Sequence, residues 1–105
     1  SILGFVIYAN NLQNAYVYPN PVKISELDQI IFANLSPTAK IKIKTLDGVE
    51  INTLLETDGN GGVEWDLRDK NGNLLGTGIY LFEVEGSDIN GISLMPYTGK
   101  FVIIP

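Results

Sequence analysis

The sequence predicts an all-β fold, a two-sheet antiparallel sandwich of about seven short strands. Two segments, residues 40–44 (Lys-Ile-Lys-Ile-Lys) and 63–68 (Val-Glu-Trp-Asp-Leu-Arg), alternate strictly between polar and apolar side chains. That is the period of a strand with one wet and one dry face. Turn signals recur every 8 to 15 residues, at the spacing of sandwich strands. No window carries a helical apolar stripe.

In order, the strands are expected at residues 15–18, 29–35, 40–44, 50–56, 63–68, 79–85 and 99–104, all rich in β-branched and aromatic side chains. Between the first two, Pro19-Asn20-Pro21 is a stiff bend that cannot donate to a ladder at either proline. It would let the first strand pass from one sheet edge to the other and blunt both edges against stray pairing. Asp47-Gly48 and Asn71-Gly72 suit tight reversals because both residue pairs tolerate positive φ, and residues 58–62 form a looser glycine-rich turn. Parity places Phe32, Ile41, Ile43, Trp65, Leu67, Tyr80, Phe82 and Val102 in the core, with Val63 and Val84 on the same faces.

Seven short motifs stand in a fixed order: Val17-Tyr18-Pro19-Asn20-Pro21, Ile31-Phe32-Ala33-Asn34-Leu35, Lys42-Ile43-Lys44-Thr45-Leu46-Asp47-Gly48, Trp65-Asp66-Leu67-Arg68, Asn71-Gly72, Gly78-Ile79-Tyr80 and Gly99-Lys100-Phe101-Val102-Ile103-Ile104. In this order they resemble the C-terminal sorting domains (type A) of type IX secretion cargo. The same order is equally similar to the immunoglobulin-like domain of flagellar hook-capping proteins. The resemblance covers residues 15–105 and implies an immunoglobulin-like (fibronectin III-like) sandwich at the end of a secreted protein. It further implies reading by an outer-membrane secretion machinery, followed by release or attachment at the cell surface. The recognition residues it implies are Tyr18, Pro19, Asn20 and Pro21 in the opening motif, Gly78 and Tyr80 in the central one, and the terminal basic residue Lys100.

Composition narrows the function classes. At 105 residues the chain is one domain by size, and 45% hydrophobic residues are enough for a real core. A net charge of -5 disfavours nucleic acid and anionic membrane surfaces, which select clustered Lys and Arg. No segment has the run of about 20 apolar residues that spans a bilayer. With neither cysteine nor histidine, the chain lacks a disulfide framework, a thiol nucleophile and the commonest general base and metal ligand. No cofactor and no metal are expected.

Each candidate site has a plainer structural reading. Asp69, Asn71 and Asn73 have the spacing of a calcium loop, but the twelfth position is Tyr80 rather than Glu, so a turn is expected. The glycines at 59, 61 and 62 precede no Lys-Ser/Thr pair and no helix, which argues against a phosphate cradle. Lys40, Lys42 and Lys44 read as a solvated face or a guarded sheet edge. Glu64 with Asp66, and Glu83 with Glu85, are carboxylate pairs on outward faces with no cleft to tune them. The expectation is a non-catalytic module.

Two apolar segments are left over. Residues 2–9 carry no charge and no polar side chain except the Tyr8 hydroxyl. They divide the chain into an apolar strand with a polar linker, residues 1–14, and a sandwich, residues 15–105. Ile7-Tyr8-Ala9 also suits a signal-peptidase site, though no basic segment precedes it. Continuous apolarity fits a strand buried on both faces. The expectation is therefore an extra N-terminal strand, Ile2, Leu3, Phe5, Val6 and Ile7 included, that adds to a sheet edge, with residues 10–14 reaching outward to a neighbouring molecule or an upstream domain; the rival is pairing with its own sandwich, since the same linker can also turn back. The second segment, residues 86–98, is too apolar for an ordinary connection. Ile92, Leu94 and Met95 in it are expected to fold back on the sandwich or meet a partner.

The partners expected are proteins, either secretion machinery or neighbouring subunits, with no nucleic acid and no membrane insertion. The location expected is secreted, extracellular or cell-surface. Two readings stand side by side: a sorting and surface-attachment module, and a structural subunit of an extracellular assembly joined by strand addition.

Overall fold

The computed structural model describes residues 8–57 and 59–105. Among them are eight strands and no helix: β1 (Tyr16–Tyr18), β2 (Val22–Lys23), β3 (Ile30–Ala33), β4 (Thr38–Lys44), β5 (Glu50–Glu56), β6 (Val63–Trp65), β7 (Gly78–Ser87) and β8 (Tyr97–Ile104). They form a three-stranded sheet, β1-β3-β6, and a five-stranded sheet, β2-β8-β7-β4-β5. β1 runs antiparallel to β3, whereas β2 runs parallel to β8. The first strand is thus divided between the sheets at Pro19-Asn20-Pro21, as the two prolines predict. The chain is an immunoglobulin-like β-sandwich whose second half-strand pairs with the last strand.

Alternation produces the core. Ile41 lies opposite Val84 and Ile43 opposite Phe82 between β4 and β7, and all four are buried. From the facing sheet Phe32 and Trp65 reach across to Phe82 and Phe101. The Phe32 ring meets Phe82 edge-on at 5.3 Å and Phe101 at 6.4 Å, while Trp65 meets Phe101 at 5.8 Å, 89° between planes. Edge-to-face geometry places positive ring edges on negative faces, which favours each pair beyond the area it buries. Phe82 lies opposite Gly99, and a Cβ at Gly99 would enter the Phe82 ring. The glycine therefore makes room for the ring that couples the sheets.

Several expectations change in three dimensions. The parity of the last strand is opposite to the one expected: Phe101 and Ile103 are fully buried and Val102 only half-buried. Tyr80 pairs with Phe101 across the β7/β8 ladder, so the register with β7 decides the inward set. The strand expected over residues 63–68 ends at Trp65, because Leu67 has a φ of 62°. Its side chain is nevertheless fully buried, and the indole N–H of Trp65 donates to the Arg68 carbonyl at 3.0 Å to hold the bend. Lys40, Lys42 and Lys44 do not guard an edge, since β4 lies between β7 and β5. Lys42 instead pairs with Glu85 and Lys44 with Glu83, each at 3.1 Å, so the basic stripe is matched by the acidic stripe of β7. Between the β4 residues Ile43 and Lys44 the register with β5 shifts, leaving Ile51 as the extra residue of β5 and letting Ile51 and Leu54 both pack on the core.

Three reversals share one design. In residues 45–49, 69–73 and 88–92 the first residue's amide donates to the fifth residue's carbonyl, and the glycine at the fourth position donates back to the first. Those glycines have φ of 91°, 85° and 81°. Such a turn closes a hairpin only if its fourth residue adopts the left-handed conformation, which glycine does without a Cβ clash. Asp69 and Asp88 each accept two further amide bonds within their loops, at 2.9–3.0 Å.

Residues 10–14, expected to reach outward, lie along the sandwich. Leu12 is fully buried, the Ala9 amide donates to the Leu35 carbonyl at 2.7 Å, and the Gln13 side chain donates to the Met95 carbonyl at 3.2 Å. An apolar leucine among asparagines loses more by staying in water than the backbone loses by being ordered against the core. Of the expected N-terminal strand, residues 1–7 lie outside the described residues, and Tyr8 and Ala9 are not in a strand.

Replacing Trp65 with alanine is expected to destabilise the fold by about 3–5 kcal/mol, read as a lowered denaturation midpoint at unchanged denaturant slope. Gly99→Ala is expected to cost about 1–3 kcal/mol by overpacking against Phe82, and an unchanged midpoint would show that the ring yields freely.

Candidate recognition surface

Of the seven motif residues, Lys100 is in strand β8, Gly78 and Tyr80 are in its neighbour β7, and Pro19, Asn20 and Pro21 form the bend between β1, which ends at Tyr18, and its other neighbour β2. On one side, Asn20 at the proline bend binds the strand twice: its Nδ2 donates to the Lys100 carbonyl and its Oδ1 accepts from the Val102 amide, both at 3.0 Å. A side-chain amide has one donor end and one acceptor end, so it can replace a backbone peptide unit in a ladder. Asn20 does this just before β2 takes up the pairing at Val22 and Lys23, opposite Ile103 and Ile104. The peptide bonds Tyr18–Pro19 and Asn20–Pro21 are both cis. The prolines at 19 and 21 flank the asparagine that does the binding.

On the other side of β8, Tyr80 opens β7 and its hydroxyl donates to the Gly76 carbonyl at 2.7 Å. This is the tyrosine corner of immunoglobulin-like sandwiches, in which a ring at the start of a strand ties down the connection entering it. Gly78, at the middle of the corner, has a φ of 149°, a conformation that side chains rarely adopt. The Tyr80 ring stacks on Phe101 at 5.4 Å and 18°. Burial raises the Tyr80 phenol above its ordinary pKa of 10.0. Gly78 and Tyr80 therefore act within the fold, and the residues they hold in place belong to β8.

What faces solvent is the bend itself. Tyr16, Tyr18, Pro19, Asn20, Pro21 and Lys100 are all exposed. The rings of Tyr16 and Tyr18 lie 5.8 Å apart. A hollow of about 170 Å³ between Tyr16, Asn20, Tyr97 and Lys100 marks where β1 leaves for the other sheet. A rigid corner with two phenols, a polar amide and one ammonium has the features of a protein-recognition surface, since its aromatic area is presented at low entropic cost. Tyr16 is an exposed neighbour of this bend that sequence reasoning did not single out. Its signal was the period of two with Tyr18 on a strand whose other face is buried.

The second apolar feature is the hairpin after β7. Leu94 and Tyr97 turn toward the core, whereas Ile89, Ile92 and Met95 are more than half exposed. The Asp-x-Asn-Gly pattern at residues 69–72 recurs at 88–91 and could have identified this hairpin tip in advance. Asp69, the first residue of the calcium-like spacing, uses its carboxylate to hold Asn71 and Asn73 amides in the turn. Among the described residues no helix is long and apolar enough to cross a membrane.

No family model matches the sequence, and no curated protein matches it significantly. Solved structures do. The chain is similar to part of PorZ, described as an essential bacterial surface component of the type-IX secretion system of Porphyromonas gingivalis, with 27% identity and a TM-score of 0.69 over 92% of this chain and 12% of PorZ. It is also similar to part of dimeric latent PorU from the same organism, at 22% identity and a TM-score of 0.61 over 86% of this chain and 9% of PorU. CopC from Methylosinus trichosporium OB3b matches at 10% identity and a TM-score of 0.56 over 88% of this chain and 95% of CopC. The PorU and CopC likenesses speak to the fold alone. The chain spans about an eighth or less of the length of PorZ and PorU.

Replacing Asn20 with alanine removes both bonds to β8 and is expected to cost about 1–3 kcal/mol, with faster hydrogen exchange at the Val102 amide as its local signature. Stability is also expected to fall at alkaline pH. The Lys42 ammonium, hydrogen-bonded to Glu85, titrates above its ordinary 10.5, and the Tyr80 phenol above 10.0. In both cases the folded state holds the proton more tightly, so the contribution is complete below the ordinary value and lost as pH rises through the folded one. Tyr80→Phe and Lys42→Gln should each flatten the loss above about pH 10, measured by denaturant titration across pH 8–12.

Proposed function

We propose that this chain is a non-catalytic module of type IX secretion, a sorting and cell-surface attachment domain read by the export machinery at the proline bend and the adjoining terminal strand. The observation that carries the proposal is the match to PorZ over 92% of this chain. The opening and central motifs support it, since both meet β8: Asn20 binds that strand from one side and Tyr80 packs on it from the other. A domain that is to be read at its end needs that end held in one conformation, and these contacts supply the rigidity. The setting proposed is secreted or cell-surface, with protein partners, no cofactor and no catalytic role.

A second reading is favoured by what PorZ is described as. PorZ is a surface component of the system, so a domain like this one also fits within the apparatus rather than on its cargo.

Fusing the chain to the C-terminus of a periplasmic reporter in a type IX-competent bacterium separates the two. Cargo sorting predicts reporter at the surface or in the medium, and a loss of at least tenfold with Tyr18→Ser or Lys100→Glu, exposed substitutions expected to leave the melting temperature within a few degrees. A folded fusion that stays in the periplasm would refute the sorting role and leave the apparatus reading.

A further inference from the structure

We propose that the second half of β5, residues 53–56, is a docking edge. An extended segment of a partner protein adds there as a sixth strand, apolar where it faces Leu55 and basic at the positions on either side. Of the four strands at sheet edges, β1, β2 and β6 have two or three residues, whereas β5 has seven. A long edge is ordinarily blunted by lysine, proline, a bulge or a covering loop. In β5 such devices serve only the first half. Ile51 is the extra residue of the register shift, and its carbonyl accepts from the Lys70 amide at 3.1 Å. The Asn52 side chain accepts from the Thr53 amide at 2.7 Å and donates to the Arg68 carbonyl at 2.8 Å. From Thr53 to Glu56 the strand carries neither lysine nor proline.

The same bonds settle which backbone groups face outward. The Ile51 carbonyl and the Thr53 amide point away from β4, so at a period of two the Thr53 carbonyl and both backbone groups of Leu55 do the same. Among the described residues no hydrogen bond reaches these three groups. They form the acceptor-donor-acceptor row of an unfilled ladder, which an extended segment completes. Each face of the edge also has room for side chains. Leu55, 61% exposed, shares a cleft of about 500 Å³ with Leu94 and Pro96. Toward β6 a hollow of about 350 Å³ lies against Glu56 and Glu64, and its lining among the described residues holds no Lys or Arg. A residue added opposite Leu55 places its side chain in the cleft, and the residues before and after it place theirs in the hollow. That selects apolar and cationic side chains in alternation. A second copy fits poorly, because its β5 would bring Glu50, Glu56 and a net charge of -5 against the same edge. The site is at the edge of the five-stranded sheet opposite to β2, so it stands apart from the proline bend and from the export reading.

The probe is the peptide acetyl-Lys-Val-Lys-Val-Lys-Val-Lys-amide added to the full chain, with amide hydrogen exchange read at Leu55. One control has the same sequence with N-methylated valines, which keeps the charge and removes the donors that pair with β5. The other replaces each lysine with glutamate. Strand addition predicts that the Lys-Val peptide slows Leu55 exchange at least tenfold and that both controls bind at least tenfold more weakly. Leu55→Pro, which removes an amide that makes no bond to β4, is expected to stay folded and to lose affinity for the peptide by a similar factor. Should that variant unfold, the N-methylated control still decides. Leu55 exchange that the Lys-Val peptide leaves unchanged, or that either control slows equally, would overturn the inference. Protection of Leu55 in the chain alone, rising with chain concentration, would assign the edge to a second copy and overturn it as well. None of these results bears on export of a fused reporter.

Discussion

The packing of Phe32 and Trp65 against Phe82 and Phe101 is the constraint on which the rest of this structure depends, because it joins the two sheets. Small sandwiches have few residues with which to bury area, and four large rings meeting at 5.3–6.4 Å supply much of it at one place. The consequences run outward along the strands. Phe82 can lie flat over β8 only because position 99 is glycine. Phe101 faces inward because Tyr80 is its cross-strand partner, and that partnership sets the face of every other residue of β8.

Around that centre the fold spends its polar groups on fixing edges and corners. Asn20 extends the ladder of β8 where the prolines cannot, the Tyr80 hydroxyl ties the approach to β7, and three glycine-bearing five-residue loops close reversals. The paired charge stripes of β4 and β7 lie on the outward face, where solvent screening keeps each ion pair weak. Their role is solubility and register, since a one-residue slip would place lysines in the core.

The motif residues divide between holding and showing. Gly78 and Tyr80 hold: one permits the corner's backbone, the other forms its bond. Tyr18, Pro19, Pro21 and Lys100 show, all four being exposed. Asn20 does both, exposed yet bonded to two backbone groups 80 and 82 residues away. A short ordered motif can therefore mark a family through its structural members while a partner reads only the exposed ones.

Local chemistry was enough to determine much of this protein. Alternation in residues 40–44 and 63–67 fixed which side chains are buried, down to Leu67 beyond the end of its strand, and Pro19-Asn20-Pro21 determined where the first strand divides. These features rest on neighbours in sequence, where parity and the lack of a proline N–H leave few alternatives. Register was decided only in three dimensions. The inward face of β8, the interior position of the lysine strand and the burial of Leu12 among asparagines each depend on a partner far along the chain. So does the meeting of Asn20 with Lys100 and Val102, which fastens the proline bend to β8. A side chain's own sequence neighbours carry no information about which distant backbone will complete its hydrogen bonds, and that pairing is settled by the packing of the two sheets.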